Sequence, residues 1–151
     1  MMATVANRGY YFTPHIVKNI KDQKLDKKFV TKHYTTIDKQ YYEPVIQGLE
    51  DVYNYGTAAG FRVEGMKICG KTGTAQNRGQ DHSVFMGFAP MDKPKIAIAV
   101  YVENGGFGAD FAVPIAGVLF EQYMTGKLSP SAAKQADELQ KRRIAYGSRN
   151  R

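Results

Sequence analysis

Apolar and polar positions follow two different periods along this chain. Between residues 38 and 56 the period is helical: Val45, Ile46, Leu49, Val52 and Tyr53 fall on one face. Asp38 stands ahead of them as an N-cap, and Pro44 fits only within the first turn. Gly48 weakens the helix slightly, and Gly56 is a natural stop. Three strand-like runs come next: Met66 to Ala75, Ser83 to Ala89, and Lys95 to Val102. The last is apolar without a break, which predicts a strand buried on both faces. The connectors, Asn77 to His82 and Pro90 to Pro94, are too short for parallel crossovers, so the three strands are expected to pair antiparallel. After a Gly-rich turn from Asn104 to Gly108, Asp110 to Tyr123 reads as an apolar helix with Pro114 in its first turn and Gly126 beyond its end. Ser129 and Pro130 cap a final helix with a thin apolar stripe, Ala132, Ala136, Leu139 and Ile144, which is expected to be loosely held.

The first third is less regular. Met1 to Gly9 looks like the last turns of a helix, with Asn7 and Gly9 as stop signals. Tyr10 to Ile20 is aromatic and β-branched and reads as an extended segment. Asp22 to Lys28 reads as a polar loop, and Phe29 to Ile37 as another short strand. Thr57 to Gly65 reads as a loop. The class is α+β, an antiparallel sheet covered by at least two helices.

Composition narrows the picture only a little. Of 151 residues, 43% are hydrophobic and 23% charged, which suits one globular domain. The formal net charge of +7 owes much to Lys134, Lys141, Arg142, Arg143, Arg149 and Arg151. Such a tail raises the alternative of a non-enzymatic basic binding module for nucleic acid or an anionic polymer, whereas the reading that the motifs favour expects no nucleic-acid partner. The lone Cys69 permits no intrachain disulfide and reads as a small core residue. No apolar run reaches membrane-span length, and the N-terminus lacks the order of a signal peptide. A helix that starts uncapped at residue 1 leads to the expectation that the chain is cut from something longer.

Two motifs overlap at residues 65–74. Gly65-Met66-Lys67-Ile68-Cys69-Gly70-Lys71-Thr72 matches the phosphate-binding pattern G-x-x-x-x-G-K-[ST]. That motif needs a strand before its first glycine and a helix after its lysine. Here Ala58 to Glu64 is no buried strand, and Thr72 to Gly79 would start a poor helix, so a nucleotide-binding protein is the weaker alternative.

Read on a strand, Lys71-Thr72-Gly73-Thr74 suits different chemistry. Alternation puts Lys71 and Gly73 on one face and Thr72 and Thr74 on the other. Gly73 lets an extended substrate backbone approach closely. The main-chain N–H of Thr74 can face a carbonyl that becomes an oxyanion. The threonine hydroxyls and the Lys71 charge can hold a carboxylate. The sequence resembles the K-T-G element of serine penicillin-recognising enzymes, whose companions are S-x-x-K and S-x-N.

The order around it resembles the class B penicillin-binding proteins, and most of all their elongation-type branch. The resemblance rests on Ile68 to Gln76, Asp81 to Pro90, Lys95 to Val102 and Asn104 to Gly108, with Ala6 to Val17 and Asp51 to Ala58 upstream. It runs from residue 1 to about 126, leaving 127–151 as a basic C-terminal helix or tail. The resemblance implies the C-terminal part of a serine β-lactamase-like transpeptidase domain, in a monofunctional peptidoglycan D,D-transpeptidase anchored in the inner membrane, with its catalytic domain in the periplasm. It implies no cofactor and no metal. The implied partners are stem peptides, β-lactam antibiotics and other cell-elongation membrane proteins. The implied substrate-binding residues are Lys71, Thr72, Gly73 and Thr74, of which Lys71 and Thr74 act in catalysis.

One departure is decisive. Ser131-Ala132-Ala133-Lys134 matches S-x-x-K but follows K-T-G instead of preceding it, and Ser148-Arg149-Asn150 matches S-x-N at the very end. Both are read as accidental. The true serine, its lysine and the S-x-N loop are therefore expected upstream of Met1, and the chain alone is expected to be inactive. Apolar surface left bare by missing helices is a candidate for self-association. Ser83 is not nominated as a nucleophile. His82 reads as a surface or capping histidine, Glu103 as generic, and His15 and His33 have no partner at metal-ligand spacing. Tyr10, Tyr11 and Phe12 read as a strand face.

Overall fold

The computed structural model describes residues 1–144. Helix α1 (Met2–Ala6) leads through Arg8 and Gly9, both at positive φ, into strand β1 (Tyr10–Phe12). A short helix α2 (Lys27–Val30) precedes strand β2 (Lys32–Tyr34), which pairs antiparallel with β1. Helix α3 (Tyr42–Asn54) follows, then β3 (Cys69–Ala75), β4 (His82–Ala89), β5 (Ile96–Val102), α4 (Ala112–Thr125) and α5 (Pro130–Lys141). The main sheet has the order β3-β4-β5, with both pairings antiparallel as the short connectors require.

One face of this sheet carries Phe85 and Ala89, which pack with Ala112, Val113, Ala116 and Phe120 of α4 and with Tyr53 and Ile68. Ile96, Ile98 and Val100 of β5 join the same cluster. A second cluster joins Cys69 and Phe88 to Met2 and Ala6 of α1 and Tyr42 and Ile46 of α3. Helix α3 thus contributes to both clusters and buries the start of β3. The second sheet face is covered at that end, which is more cover than the sequence reading expects.

The helix signals hold where they are local. Ser129 Oγ accepts from the N–H of Ala132, Pro130 opens α5, and Gly126 takes the left-handed conformation that ends α4. Other expectations are corrected. β5 is not buried on both faces: Ala97, Ala99 and Tyr101 are exposed and alternate with half-buried neighbours, because only one side meets α4. The alanines made the run look continuously apolar. Extended structure from Tyr10 stops at Phe12, and only a single Ile20–Gln23 bridge follows. Within the expected loop and strand, Lys27–Val30 is helical because the Asp26 carboxylate caps it by accepting from the N–H of Lys28 at 3.0 Å. Asp38 precedes a 3₁₀ turn (Lys39–Tyr41) that runs into α3, and its side chain makes no cap bond. Ile16, Val17 and Ile20 are exposed. Ser148, Arg149, Asn150 and Arg151 lie outside the described residues.

Candidate functional site

Lys71, Thr72, Gly73 and Thr74 occupy the middle of β3, which pairs with β4 in unbroken register from Cys69 opposite Phe88 to Ala75 opposite His82. That regularity puts Lys71 and Gly73 on one face and Thr72 and Thr74 on the other, as the sequence predicts. β3 is an edge strand. Among the described residues no strand pairs with its outer side, so half of its peptide groups are left facing outward. Cys69 and Gly70 are buried under α3 and the Phe85 ring, while Lys71 and Thr74 are exposed and Thr72 and Gly73 half-buried. The strand is therefore anchored at one end and open along the K-T-G residues.

The side chains at this edge are lightly engaged. Lys71 Nζ donates to the carbonyl of Thr72 at 2.7 Å and makes no ion pair with a described carboxylate. Its positive charge is free to meet an anion. The hydroxyls of Thr72 and Thr57 lie 2.9 Å apart, bringing the end of α3 up to the strand. Nothing in the spacing of residues 57 and 72 announces that contact.

Behind the strand stands the Gly-rich turn. A β-carbon on Gly108 would lie 2.8 Å from the Val84 carbonyl oxygen, 3.0 Å from Thr72 Cβ and 3.1 Å from the Gly73 carbonyl oxygen, so only a bare backbone fits against Thr72 and the Gly73–Thr74 peptide. The turn is fixed at several points. Gly106 N–H donates to the Asp81 carbonyl at 2.8 Å, and the Asp110 carboxylate accepts from Phe107 N–H at 2.7 Å. His82 Nδ1 accepts from Asn104 N–H at 2.9 Å, and its ring lies against Tyr101, so this histidine caps the turn. Ser83 is fully buried beneath the turn, and its hydroxyl donates to the Phe107 carbonyl at 2.8 Å and accepts from the Ala112 N–H at 3.0 Å. The sequence marks Ser83 only as one polar residue in an apolar strand.

The other sequence candidates are not brought to this edge. Ser131 is exposed at the start of α5 and lies 3.0 Å from Ser129 Oγ. Lys134 reaches Glu138 instead. Ser131 lines a hollow with Gly60, Arg62, Gly117 and Glu121, none of which belongs to β3. The phosphate-loop reading fails on geometry: Lys71 and Thr72 lie inside a strand, and the next helix after them is α4. Cys69 is no nucleophile, since burial, with the Glu50 carboxylate adding to it, pushes its thiol up to about 12.

The arrangement offers an outward-facing strand edge, a free cation, two hydroxyls and a glycine that leaves room for a substrate. The family model described as the penicillin binding protein transpeptidase domain matches residues 1–125. The peptidoglycan D,D-transpeptidase MrdA of Acinetobacter baumannii is 33% identical over 85% of this chain, and the aligned part is 22% of that protein. A crystal structure of Pseudomonas aeruginosa PBP2 in complex with WCK 5153 superposes with a TM-score of 0.71 at 33% identity, over 87% of this chain and 30% of that one. An imipenem acyl-enzyme complex of penicillin-binding protein A from M. tuberculosis superposes with a TM-score of 0.68 at 26% identity, over 82% of this chain and 29% of that one. The chain thus spans between a fifth and a third of the length of these relatives. Among the described residues no helix is long and apolar enough to cross a membrane.

Proposed function

The chain belongs to the penicillin-binding protein transpeptidase family, and from that premise we propose that it supplies the substrate-binding strand of a serine-type peptidoglycan D,D-transpeptidase of the elongation type. The observation that carries this reading is the placement of Lys71-Thr72-Gly73-Thr74 on the open edge of β3. An extended D-Ala-D-Ala terminus lies along that edge. Lys71 provides the positive field for its carboxylate, and the Thr72 and Thr74 hydroxyls donate to it. Gly73 gives clearance, and the Thr74 N–H forms one half of the oxyanion hole.

The nucleophile is a serine from outside these residues. Its Oγ attacks the penultimate D-alanine carbonyl and passes its proton to a base. The C–N bond breaks, the terminal D-alanine leaves with a proton on its amine, and an acyl ester remains. An amine from a second stem peptide then attacks the ester, forming the cross-link amide and returning the proton to the serine oxygen. A β-lactam enters the same path, but its ring amide opens and the acyl group stays attached. Residues 1–126 form part of the transpeptidase unit, and 127–151 form a basic appendage. The whole protein is held at the inner membrane with this unit in the periplasm, working beside other cell-elongation proteins.

A fluorescent penicillin tests the reading. The full-length polypeptide becomes covalently labelled, and this chain alone does not. Covalent labelling of this chain at Ser131 overturns the assignment.

A further inference from the structure

The hydroxyl of Ser83 is the meeting point of three chain segments. Ser83 lies on β4 directly opposite Thr74 of the K-T-G strand. Its side chain is fully buried on the face covered by α4. The hydroxyl has one proton, and the shortest geometry gives it to the Phe107 carbonyl at 2.8 Å, with the Gly108 carbonyl at 3.3 Å as a secondary partner. Its lone pair accepts from the Ala112 N–H, the first residue of α4, at 3.0 Å. One buried group therefore ties the Gly-rich turn, the start of α4 and the central strand together.

That tie continues to the substrate edge. The carbonyls that Ser83 holds belong to Phe107 and Gly108, and Gly108 is the residue whose bare Cα backs Thr72 and the Gly73–Thr74 peptide. A turn released from Ser83 has lost the hydroxyl that holds it down, and the strand then loses the surface behind its peptide plane. Losing the hydroxyl also leaves the buried Ala112 N–H without its acceptor and takes the side-chain donor from the Phe107 carbonyl, a state that a local shift of the turn relieves.

We infer that Ser83 is a positioning residue for acyl transfer: its hydroxyl fixes the Gly-rich turn against β3 and so sets where the Gly73–Thr74 peptide, with its Thr74 N–H, meets the substrate. The inference rests on the transpeptidase reading above. A small displacement of an oxyanion donor costs rate more than it costs binding, because the donor is aimed at charge that develops only in the transition state.

The test uses the full-length polypeptide with the variants Ser83→Ala, Ser83→Thr and Ser83→Cys, and a fluorescent penicillin as probe. The acylation rate at saturation and the half-saturating concentration are measured separately, with the thermal midpoint recorded for each variant. Ser83→Ala is expected to lower the saturating rate about tenfold with at most a twofold change in half-saturation, and Ser83→Thr, which keeps the hydroxyl, to restore it. If Ser83→Ala does not fold, Ser83→Cys, with its weak donor, is expected to show the same split. A folded Ala or Cys variant that acylates at the unmodified rate overturns the inference, as does a Thr variant as slow as the Ala variant at equal thermal midpoint. Failure of the unmodified protein to be labelled at all overturns the transpeptidase reading instead, so the two failures are distinct.

Discussion

A β-carbon on Gly70 would lie 2.2 Å from Cζ of Phe85 and 3.0 Å from the carbonyl oxygen of Met86. Phe85 is fully buried, and its ring also closes on Gly87, where an added β-carbon would sit 2.7 Å from the same Cζ. The ring fills the space that two neighbouring strands leave by carrying no side chain. Gly70→Ala must therefore push an aromatic ring into a packed core, which costs about 1–3 kcal/mol. Urea unfolding is expected to show that loss. Adding Phe85→Leu is expected to recover part of it, although Phe85→Leu alone destabilises. Strictly additive effects would mean that the ring does not occupy that space.

Arg8 ties three parts of the chain together. Its guanidinium donates to Glu43 at 2.7 Å on α3, to the Ala6 carbonyl at 3.0 Å, and to the Met91 carbonyl at 3.3 Å in the β4–β5 turn. The hydrogen bond from Arg8, with the charges of Arg8 and Lys39 adding, holds the Glu43 carboxyl below its ordinary value of 4.5. The folded state then binds this proton less readily than the unfolded state. The contribution to stability is present above pH 4.5 and fades as pH falls through the lower folded value. Glu43→Gln is expected to flatten that part of the profile of thermal midpoint against pH while leaving the alkaline side unchanged. Arg8→Ala also removes the two carbonyl contacts and is expected to cost about 1–2 kcal/mol at neutral pH.

What the sequence made legible follows from how local each signal is. β3, β4 and β5 are readable because strand-like runs separated by gaps of six residues leave few other pairings. Pro114, Gly126, Ser129 and Pro130 marked helix ends because caps act within a turn of themselves. Lys71 to Thr74 stand out as candidate chemistry because their neighbours on both sides resemble one family's order. Contacts that depend on distant residues were not legible. The support that Ser83 gives to Phe107 crosses 24 residues, the Thr57–Thr72 contact 15, and Arg8–Glu43 35. The exposed face of β5 was hidden by Ala97 and Ala99, which hydropathy counts as apolar although they face outward. The helix Lys27–Val30 depends on one Asp26 cap inside a stretch whose composition reads as loop.

Cys69 gives the opposite pH signature to Glu43. Burial raises its thiol from 9.0 to about 12, so the folded state keeps a proton that the unfolded state releases earlier. Its contribution to stability is full below pH 9.0 and is lost as pH rises toward 12. Cys69→Ala is expected to reduce the alkaline fall in thermal midpoint, although it also leaves a small cavity against Phe88. In the native protein a thiol reagent is expected to react with Cys69 only at the rate of unfolding, and quickly in denaturant. Rapid native-state labelling at neutral pH would sink this account.

Lys71 is the residue whose loss separates chemistry from folding most cleanly. It is exposed, its ammonium donates only to the carbonyl of the adjacent Thr72, and no described carboxylate pairs with it. Little of the fold therefore depends on its side chain, and Lys71→Ala is expected to leave the thermal midpoint unchanged. A hydrogen bond to a charged group is worth about 1.5–3 kcal/mol, so β-lactam acylation of the full-length polypeptide is expected to fall roughly tenfold to a hundredfold. Lys71→Arg keeps the charge but spreads it over a planar fork, and it is expected to recover only part of the rate. Because the charge is exposed, raising the salt concentration is expected to slow the unmodified protein and narrow its lead over Lys71→Ala. Equal acylation by Lys71→Ala and the unmodified protein, at any salt, would remove Lys71 from the proposed substrate-binding edge.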